Sequence, residues 1–430
     1  MRSSPSEGWI LAGVLDGVEA RPRLTDDVAG MPHVLRLACD LAVAGIKRIA
    51  VVWAGPGEPP DELRAIARDP RLTARAAMSA CSDPPPGDDG DAILIVRADR
   101  IYHRDMPKQV VAAWRASDDA QIATIAGDQH DAVFIIDRVT ARRLDAAAPT
   151  PGGIAGVLAE LPAVTAEPPY LGFTTTAPDR KALRRAERQL VWSLRKSADG
   201  IAAKLLNRHI SLPITYLLRR TGVHPNHSTI VAFLCAIAGA IVIGQGGWAN
   251  GALGMLLVEL GSIIDGVDGE LARLKYQFSR AGQWLDTVGD DLANVAYISG
   301  TTANLDAAGV TWAMPLGVVA MICFAITQTT QYVLITTVYK SGDLAAIPWA
   351  FQSSEFLSSR PTGIVAQIKA TVPKMLKRDF AVTMFFVFAL IGRLDFILLV
   401  FSGGAIAFFG VFWVQFFRNL ESVRAARAAE

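Results

Sequence analysis

"DGVDGELARLKYQFSRAGQWLDTVGDD", Asp265 to Asp291, places six carboxylates inside the apolar half of the chain. "GALGMLLVELGSII" runs into it and "LANVAYISG" leaves it. Asp265 and Asp268 are three residues apart, and Asp286 and Asp290 four apart, so each pair shares one face of a helix. A short basic loop joins the two helices, and antiparallel packing sets the pairs against each other. Carboxylates that close do not all stay ionised without a counter-charge. Protonation and divalent cations are the two remedies, and oxygen-only ligands at this density suit Mg²⁺ or Mn²⁺. Gly269, Ala272 and Gly282 permit close approach of backbones or of a ligand. Arg273 offers a guanidinium that can hold phosphate bidentately. The set reads as a pyrophosphate site. An ion-pair network between helices is the bland alternative, but intramembrane carboxylates are costly and functional by default.

The surroundings are those of a membrane protein with a soluble part. The 430 residues are 51% hydrophobic, too apolar for a typical soluble protein, and 19% charged, too charged for a pure membrane bundle. Apolar segments recur from Ser228 onward, and six spans are expected at 228–245, 249–273, 283–304, 309–338, 379–393 and 395–418. The loops alternate: "GQGGWAN" and "NLDAAGV" lack Lys and Arg, whereas "RLKYQFSRAG", the segment 340–378 and the tail are basic. By the positive-inside rule both termini and the acidic stretch face the cytoplasm of a multi-pass cytoplasmic-membrane protein. Ahead of the spans, "IAAKLLNRHISLPITYLLRRTG" interleaves apolar residues with arginines, as an amphipathic helix on the membrane surface does. Glu259, Gln328 and Gln331 are further polar residues within the spans. They are candidates for an acceptor pocket or for interhelical hydrogen bonds. Lys275, Arg280, Lys340 and Arg360 read as cytoplasmic surface cations, available to an acceptor phosphate or to lipid headgroups.

Residues before about Arg180 alternate β-rich runs ("RIAVVWAG", "DAILIVRA", "DAVFIID") with helical stretches. That pattern predicts a mostly parallel sheet covered by helices. The division expected is a soluble domain over 1–185, a linker with the juxtamembrane helix over 186–222, and a transmembrane domain over 223–430. Cys39, Cys81, Cys235 and Cys323 lack metal-site or disulfide spacing. The opening "MRSSPSEGWILAGVLDGVEA" does not read as a signal peptide. A net charge of +1 gives no reason to expect a nucleic-acid partner.

Asp265-x-x-Asp268-Gly269-x-x-Ala272-Arg273, eight residues, then Gly282-x-x-x-Asp286-x-x-x-Asp290 resembles the signature of the CDP-alcohol phosphotransferase family at every fixed position. The resemblance runs from about Asn207 to the C-terminus. It implies that Asp265, Asp268 and Asp286 ligate metal with a contribution from Asp290, and that Asp290 is the general base toward the acceptor hydroxyl. It implies that Gly269, Ala272, Arg273, Ser279 and Gly282 contact the CDP moiety. "HPNHST", with Asn226 and Thr229, stands where family members also meet the nucleotide. Glu270 and Asp291 are extra acids without an assigned role. The implied partners are a CDP-alcohol donor, a hydroxyl acceptor that is a lipid or a polar alcohol, membrane lipids and a second copy in a homodimer.

"GMPHVLRLACDLAVAGIKRIAVV" and "ILIVRADRIYH", with Asp99 at the acidic position, resemble sugar-phosphate nucleotidyltransferases. Such a domain fused ahead of the membrane domain resembles the bifunctional inositol-1-phosphate cytidylyltransferase/di-inositol-phosphate-phosphate synthase arrangement. The departures are large. "LAGVLDGVEARPRL" replaces the glycine-rich loop, "TDDVA" stands where a lysine is expected, and "TTTA" replaces the second metal-ligating acid. The expected fold is therefore multi-domain: a nucleotidyltransferase-like (Rossmann-like) α/β domain without cytidylyl transfer, then an all-α six-helix transmembrane domain. The expected activity is CDP-alcohol phosphotransfer with release of CMP in phospholipid or inositol-type lipid synthesis. The alternative within the class is a CDP-diacylglycerol-dependent phosphatidyltransferase. The alternative of another class is a magnesium transporter or channel, whose acids would line a path across the membrane.

Overall fold

A computed structural model of the chain describes residues 3–54, 58–88, 91–117, 120–126, 132–196, 199–337 and 378–418. The chain divides into two units. The first comprises 1–197 together with 215–222 and 273–277; the second comprises 198–214, 223–272 and 278–430.

In the first unit the strands are β1 (Glu7–Leu15), β2 (Val18–Glu19), β3 (Arg48–Ala54), β4 (Ala77–Cys81), β5 (Ala92–Arg97), β6 (Ile101–Tyr102), β7 (Ile122–Ile125), β8 (Val133–Asp137), β9 (Ala163–Ala166) and β10 (Thr174–Thr175). Between them lie α1 (His33–Val43), α2 (Glu62–Ile66), α3 (Pro70–Thr73), α4 (Met106–Ala116), α5 (Arg138–Ala147) and α6 (Gly153–Ala159), and α7 (Arg180–Trp192) follows. The main sheet runs β4-β3-β1-β5-β8-β7-β9. Its left half, β4 to β5, is parallel as expected. β8 is antiparallel to both β5 and β7, which makes the sheet mixed. Val133–Ile136 of β8 are buried on both faces, and a continuous apolar run carries no signal of strand direction. The two faces of the sheet bury separate cores, one around Leu35, Leu41, Val51 and Leu94, the other around Trp9, Val52, Ile95 and Phe134.

The short segment 273–277 is part of this unit's interior. Leu274, Lys275 and Tyr276 are each no more than 3% exposed. The Tyr276 hydroxyl donates to Asp40, and Arg36 donates to the Leu274 carbonyl at 2.9 Å. Lys275, expected at the surface, is instead buried and donates through Nζ to the carbonyls of Thr221 and Leu218 at 2.8 and 3.3 Å. Lys340 and Arg360 lie outside the described residues.

The second unit is helical. A π-helical turn, Ala203–Asn207, leads into α8 (Arg208–Leu218), followed by α9 (Pro225–Gly244), α10 (Trp248–Lys275), α11 (Arg280–Ala307), α12 (Ala313–Thr337), α13 (Arg378–Leu390) and α14 (Leu394–Arg418). Each of the six segments expected to span has its helix, α9 to α14. Four of them, α9, α10, α12 and α14, are long and apolar enough to cross a membrane by length and composition. α11 is long but not apolar enough for that set, and the described part of α13 has only 13 residues. α9 opens with Pro225 at its first position and His224 as a reciprocal cap with His227, so the turn into the first apolar helix is defined locally. Small residues then let the helices meet backbone to backbone. A Cβ on Gly239 of α9 would lie 2.5 Å from the Gly254 carbonyl of α10, and one on Gly300 of α11 would lie 2.4 Å from the Ala240 carbonyl of α9. Asn304 fixes the same contact by donating to the Ile243 carbonyl at 2.8 Å.

Candidate active site

Helical spacing places Asp265, Asp268, Gly269 and Ala272 along one stripe of α10, and Gly282, Asp286, Asp290 and Ala293 along one stripe of α11. The two stripes supply Asp265, Asp286 and Asp290 to one cluster, in which a carboxylate oxygen from each lies within 4.8 Å of the others. The cavity there is lined also by Thr229, Ser262, Gly289 and Arg378. Asp268 stands beside this trio, and its carboxylate accepts from the Thr229 hydroxyl at 2.5 Å. Three oxygen donors converging on one point fit a hard divalent cation such as Mg²⁺ or Mn²⁺.

The nucleotide-side residues fall at the N-terminus of α11. Ser279 caps that helix, its hydroxyl accepting from the Gly282 amide at 2.9 Å. A Cβ on Gly282 would lie 2.8 Å from Ser279 Oγ and 2.9 Å from Asn226 Oδ1. Asn226, Ser279 and Gly282 therefore form one crowded cradle that a larger residue at 282 would fill. Arg273 belongs to the first unit, where its carbonyl accepts from Arg104 at 3.1 Å.

Arg378 is the residue that sequence reasoning did not single out. Its Nη1 lies 2.5 Å from Asp290 Oδ1 and 3.7 Å from Asp265 Oδ2, so a cation sits among the carboxylates. In the sequence it looked like one more basic residue of a long cytoplasmic loop. The only signal was its position, two residues before the apolar run of α13 that starts at Phe380.

Of the other polar candidates within the spans, Gln328 and Glu259 have helix partners. Gln328 of α12 donates to Asp291 at 2.6 Å, and Tyr332 donates to the same carboxylate. Glu259 accepts from Thr383 of α13 at 2.9 Å. Gln331 is buried at 4% exposure. Asp291 thus ties α11 to α12 immediately beside Asp290.

In the first unit, Asp99 and the stretch after β1 have their partners within the unit. Arg97 is 2% exposed and grips both oxygens of Asp99 at 2.9 and 2.8 Å, while also reaching Asp16 at 2.7 Å. Where a phosphate-wrapping loop would follow β1, Asp16 and Gly17 take left-handed conformations and turn the chain straight back into β2. Thr174 and Thr175 lie in β10, paired with β6.

Carboxylates from two helices and an arginine from a third, among helices able to cross a membrane, define a membrane-embedded acidic centre suited to phosphate chemistry. Comparison with known proteins makes that class specific: residues 222–403 match the model of the CDP-alcohol phosphatidyltransferase family. The chain is also 33% identical over 125 residues to a bifunctional IPC transferase and DIPP synthase of Aquifex aeolicus (strain VF5), a match covering 29% of this chain and 28% of that relative. A protein of the same description from Thermococcus kodakarensis is 34% identical over 118 residues, covering 27% of this chain and 26% of the relative. The matched stretch spans less than a third of the length of either relative.

Proposed function

We propose that the chain is an integral membrane transferase that moves a phospho-alcohol unit from a CDP-alcohol to a hydroxyl acceptor and releases CMP. The observation that carries this reading is the convergence of Asp265, Asp286 and Asp290, at the family's spacing, on one point beside Arg378. The names of its relatives favour an inositol-type or related polar headgroup as the product class.

In this reading Asp265, Asp268, Asp286 and Asp290 hold Mg²⁺ or Mn²⁺, which when bound offsets the charge of the pyrophosphate. The cradle of Asn226, Ser279 and Gly282, with Gly269, Ala272 and Thr229, seats the nucleotide. Asp290 takes the proton of the acceptor hydroxyl as that oxygen attacks the β-phosphorus and CMP leaves. Arg378 supplies positive charge beside Asp290, where an anionic acceptor is drawn in. The protein's contribution is mainly positioning and charge stabilisation. Glu259, Gln328 and Gln331 serve the acceptor side, with Thr383 orienting Glu259 and Asp291 orienting Gln328. Purified protein in lipid or detergent, supplied with a panel of CDP-alcohols and hydroxyl acceptors, should release CMP with a matched pair. No CMP from any pair would overturn the reading.

Both termini and the acidic centre face the cytoplasm in this proposal, where CDP-alcohols are available. On a cysteine-free background, an impermeant thiol reagent applied to intact cells should label a cysteine at Gln245 and miss one at Lys181. The reverse pattern would put the site on the opposite face. A homodimer is part of the same proposal.

The first unit contributes no cytidylyl transfer. A lost electrostatic contact to the transition state costs about 3 kcal/mol, and here the loop, the lysine and the second metal-ligating acid are replaced while Asp99 is held by Arg97. The full-length protein should therefore form no pyrophosphate from CTP with inositol 1-phosphate or related sugar phosphates. Turnover with any such pair would make the protein bifunctional.

A further inference from the structure

Glu270 sits two residues past Asp268, yet it faces away from the acidic centre. It is fully buried. Its Oε1 accepts from Arg208 Nη1 at 2.5 Å and from Ser211 Oγ at 2.6 Å. Arg208 also grips Asp199 through Nε and Nη2, at 3.0 and 3.1 Å. A Cβ on Gly266 would lie 3.7 Å from Arg208 Nη1 and 3.9 Å from Ser211 Oγ. The start of α8 therefore lies over the stripe of α10 that carries Gly266 and Glu270. At 3.6 residues per turn that stripe is roughly 150° around the helix from Asp265 and Asp268.

Buried ion pairs seldom add net stability, because desolvating both charges offsets their attraction. In some proteins such a pair instead fixes a single register. Rotation about its own axis is the motion that a smooth apolar helix resists least. A rotation of about 10° swings a carboxylate at the helix surface by about 1 Å, and a displacement of that size can cost about 100-fold in rate.

We infer that Glu270 is a positioning residue: clamped by Arg208 and Ser211, it fixes the rotation of α10 and so aims Asp265 and Asp268 into the acidic centre. This rests on the transferase reading above. It also gives the juxtamembrane segment a task in the reaction besides lying at the membrane surface.

The test uses full-length Glu270→Gln, Arg208→Ala and Arg208→Lys proteins in lipid nanodiscs. Mn²⁺ binding is measured by electron paramagnetic resonance without substrate, and CMP release is measured against donor and metal concentration. Glu270→Gln keeps the volume and a hydrogen bond from Ser211 and loses only the charge, so it should fold even if Arg208→Ala does not. Glu270→Gln and Arg208→Ala should bind Mn²⁺ about tenfold more weakly and lower kcat about 10- to 100-fold, with donor KM changed less than threefold. Arg208→Lys, which keeps the charge, should recover most of the Mn²⁺ affinity. Wild-type Mn²⁺ affinity and kcat in Glu270→Gln would overturn the positioning role. Wild-type protein that binds Mn²⁺ but releases no CMP would overturn the transferase reading instead, and the Mn²⁺ affinities of the variants would still decide whether Glu270 aims the cluster.

Discussion

Replacing Asp290 by asparagine is expected to slow CMP release by about two to four orders of magnitude, the usual contribution of a positioned general base. The substitution keeps the shape of the side chain and removes its ability to take a proton. In barrier terms the loss is about 3 to 5 kcal/mol. Asp290 stands in a cluster with Asp265 and Asp286 and pairs with Arg378 at 2.5 Å, so it also helps to balance charge. The contrast with Asp268→Asn separates the two tasks. Asp268 is outside the trio and bonded to Thr229, and its loss should weaken metal and donor binding more than the turnover of bound donor. The measurement is single-turnover CMP release at saturating donor and metal, beside direct donor binding. Equal loss of donor binding in both variants would make Asp290 chiefly a ligand.

Removal of divalent metal should abolish turnover altogether. Three carboxylates within 4.8 Å and a pyrophosphate donor bring together more negative charge than Arg378 alone can offset. Protein stripped with chelator should release no CMP above background, and Mg²⁺ or Mn²⁺ should restore the full rate. Full activity after exhaustive stripping, checked by elemental analysis, would sink the metal reading and leave the arginine as the main source of positive charge. The expected loss is larger than that for any single side chain, because every charged step of the transfer depends on the same cation.

The acidic stretch was legible because its chemistry is written at helical spacing within one continuous segment. Two faces of two consecutive helices can be drawn from residue numbers alone, and the cluster of Asp265, Asp286 and Asp290 lies on those faces. Arg378 was not legible in that way. It reaches the cluster from a helix distant in sequence, and charge patterning read it as a topology signal. Glu270 and Asp291 were visible as extra acids but had no partners on the page. Their partners, Arg208 and Ser211 for one, Gln328 and Tyr332 for the other, come from helices whose packing no local rule specifies. The same limit applies to β8. Its burial was written in its sequence, whereas its direction depends on how the chain returns to the sheet. The dipeptide Asp16-Gly17 between apolar residues carries a hairpin signal, and the chain there turns straight back into β2.

The interleaving of the first unit has a consequence for how this gene can change. That unit is assembled from three separate stretches, the last two embedded among the membrane helices. A deletion of codons 1–197 would remove most of it and leave Leu274 and Tyr276 behind without the surroundings that bury them. Exposing a leucine of that kind costs about 1.5 to 3 kcal/mol, and the left-handed backbone at Tyr276 would lose the partner that holds it. Simple truncation is therefore a poor evolutionary route to a lone membrane enzyme. A first unit built in this way can persist in the lineage whatever its own chemistry, because its removal uncovers the end of the helix that carries Asp265 and Asp268.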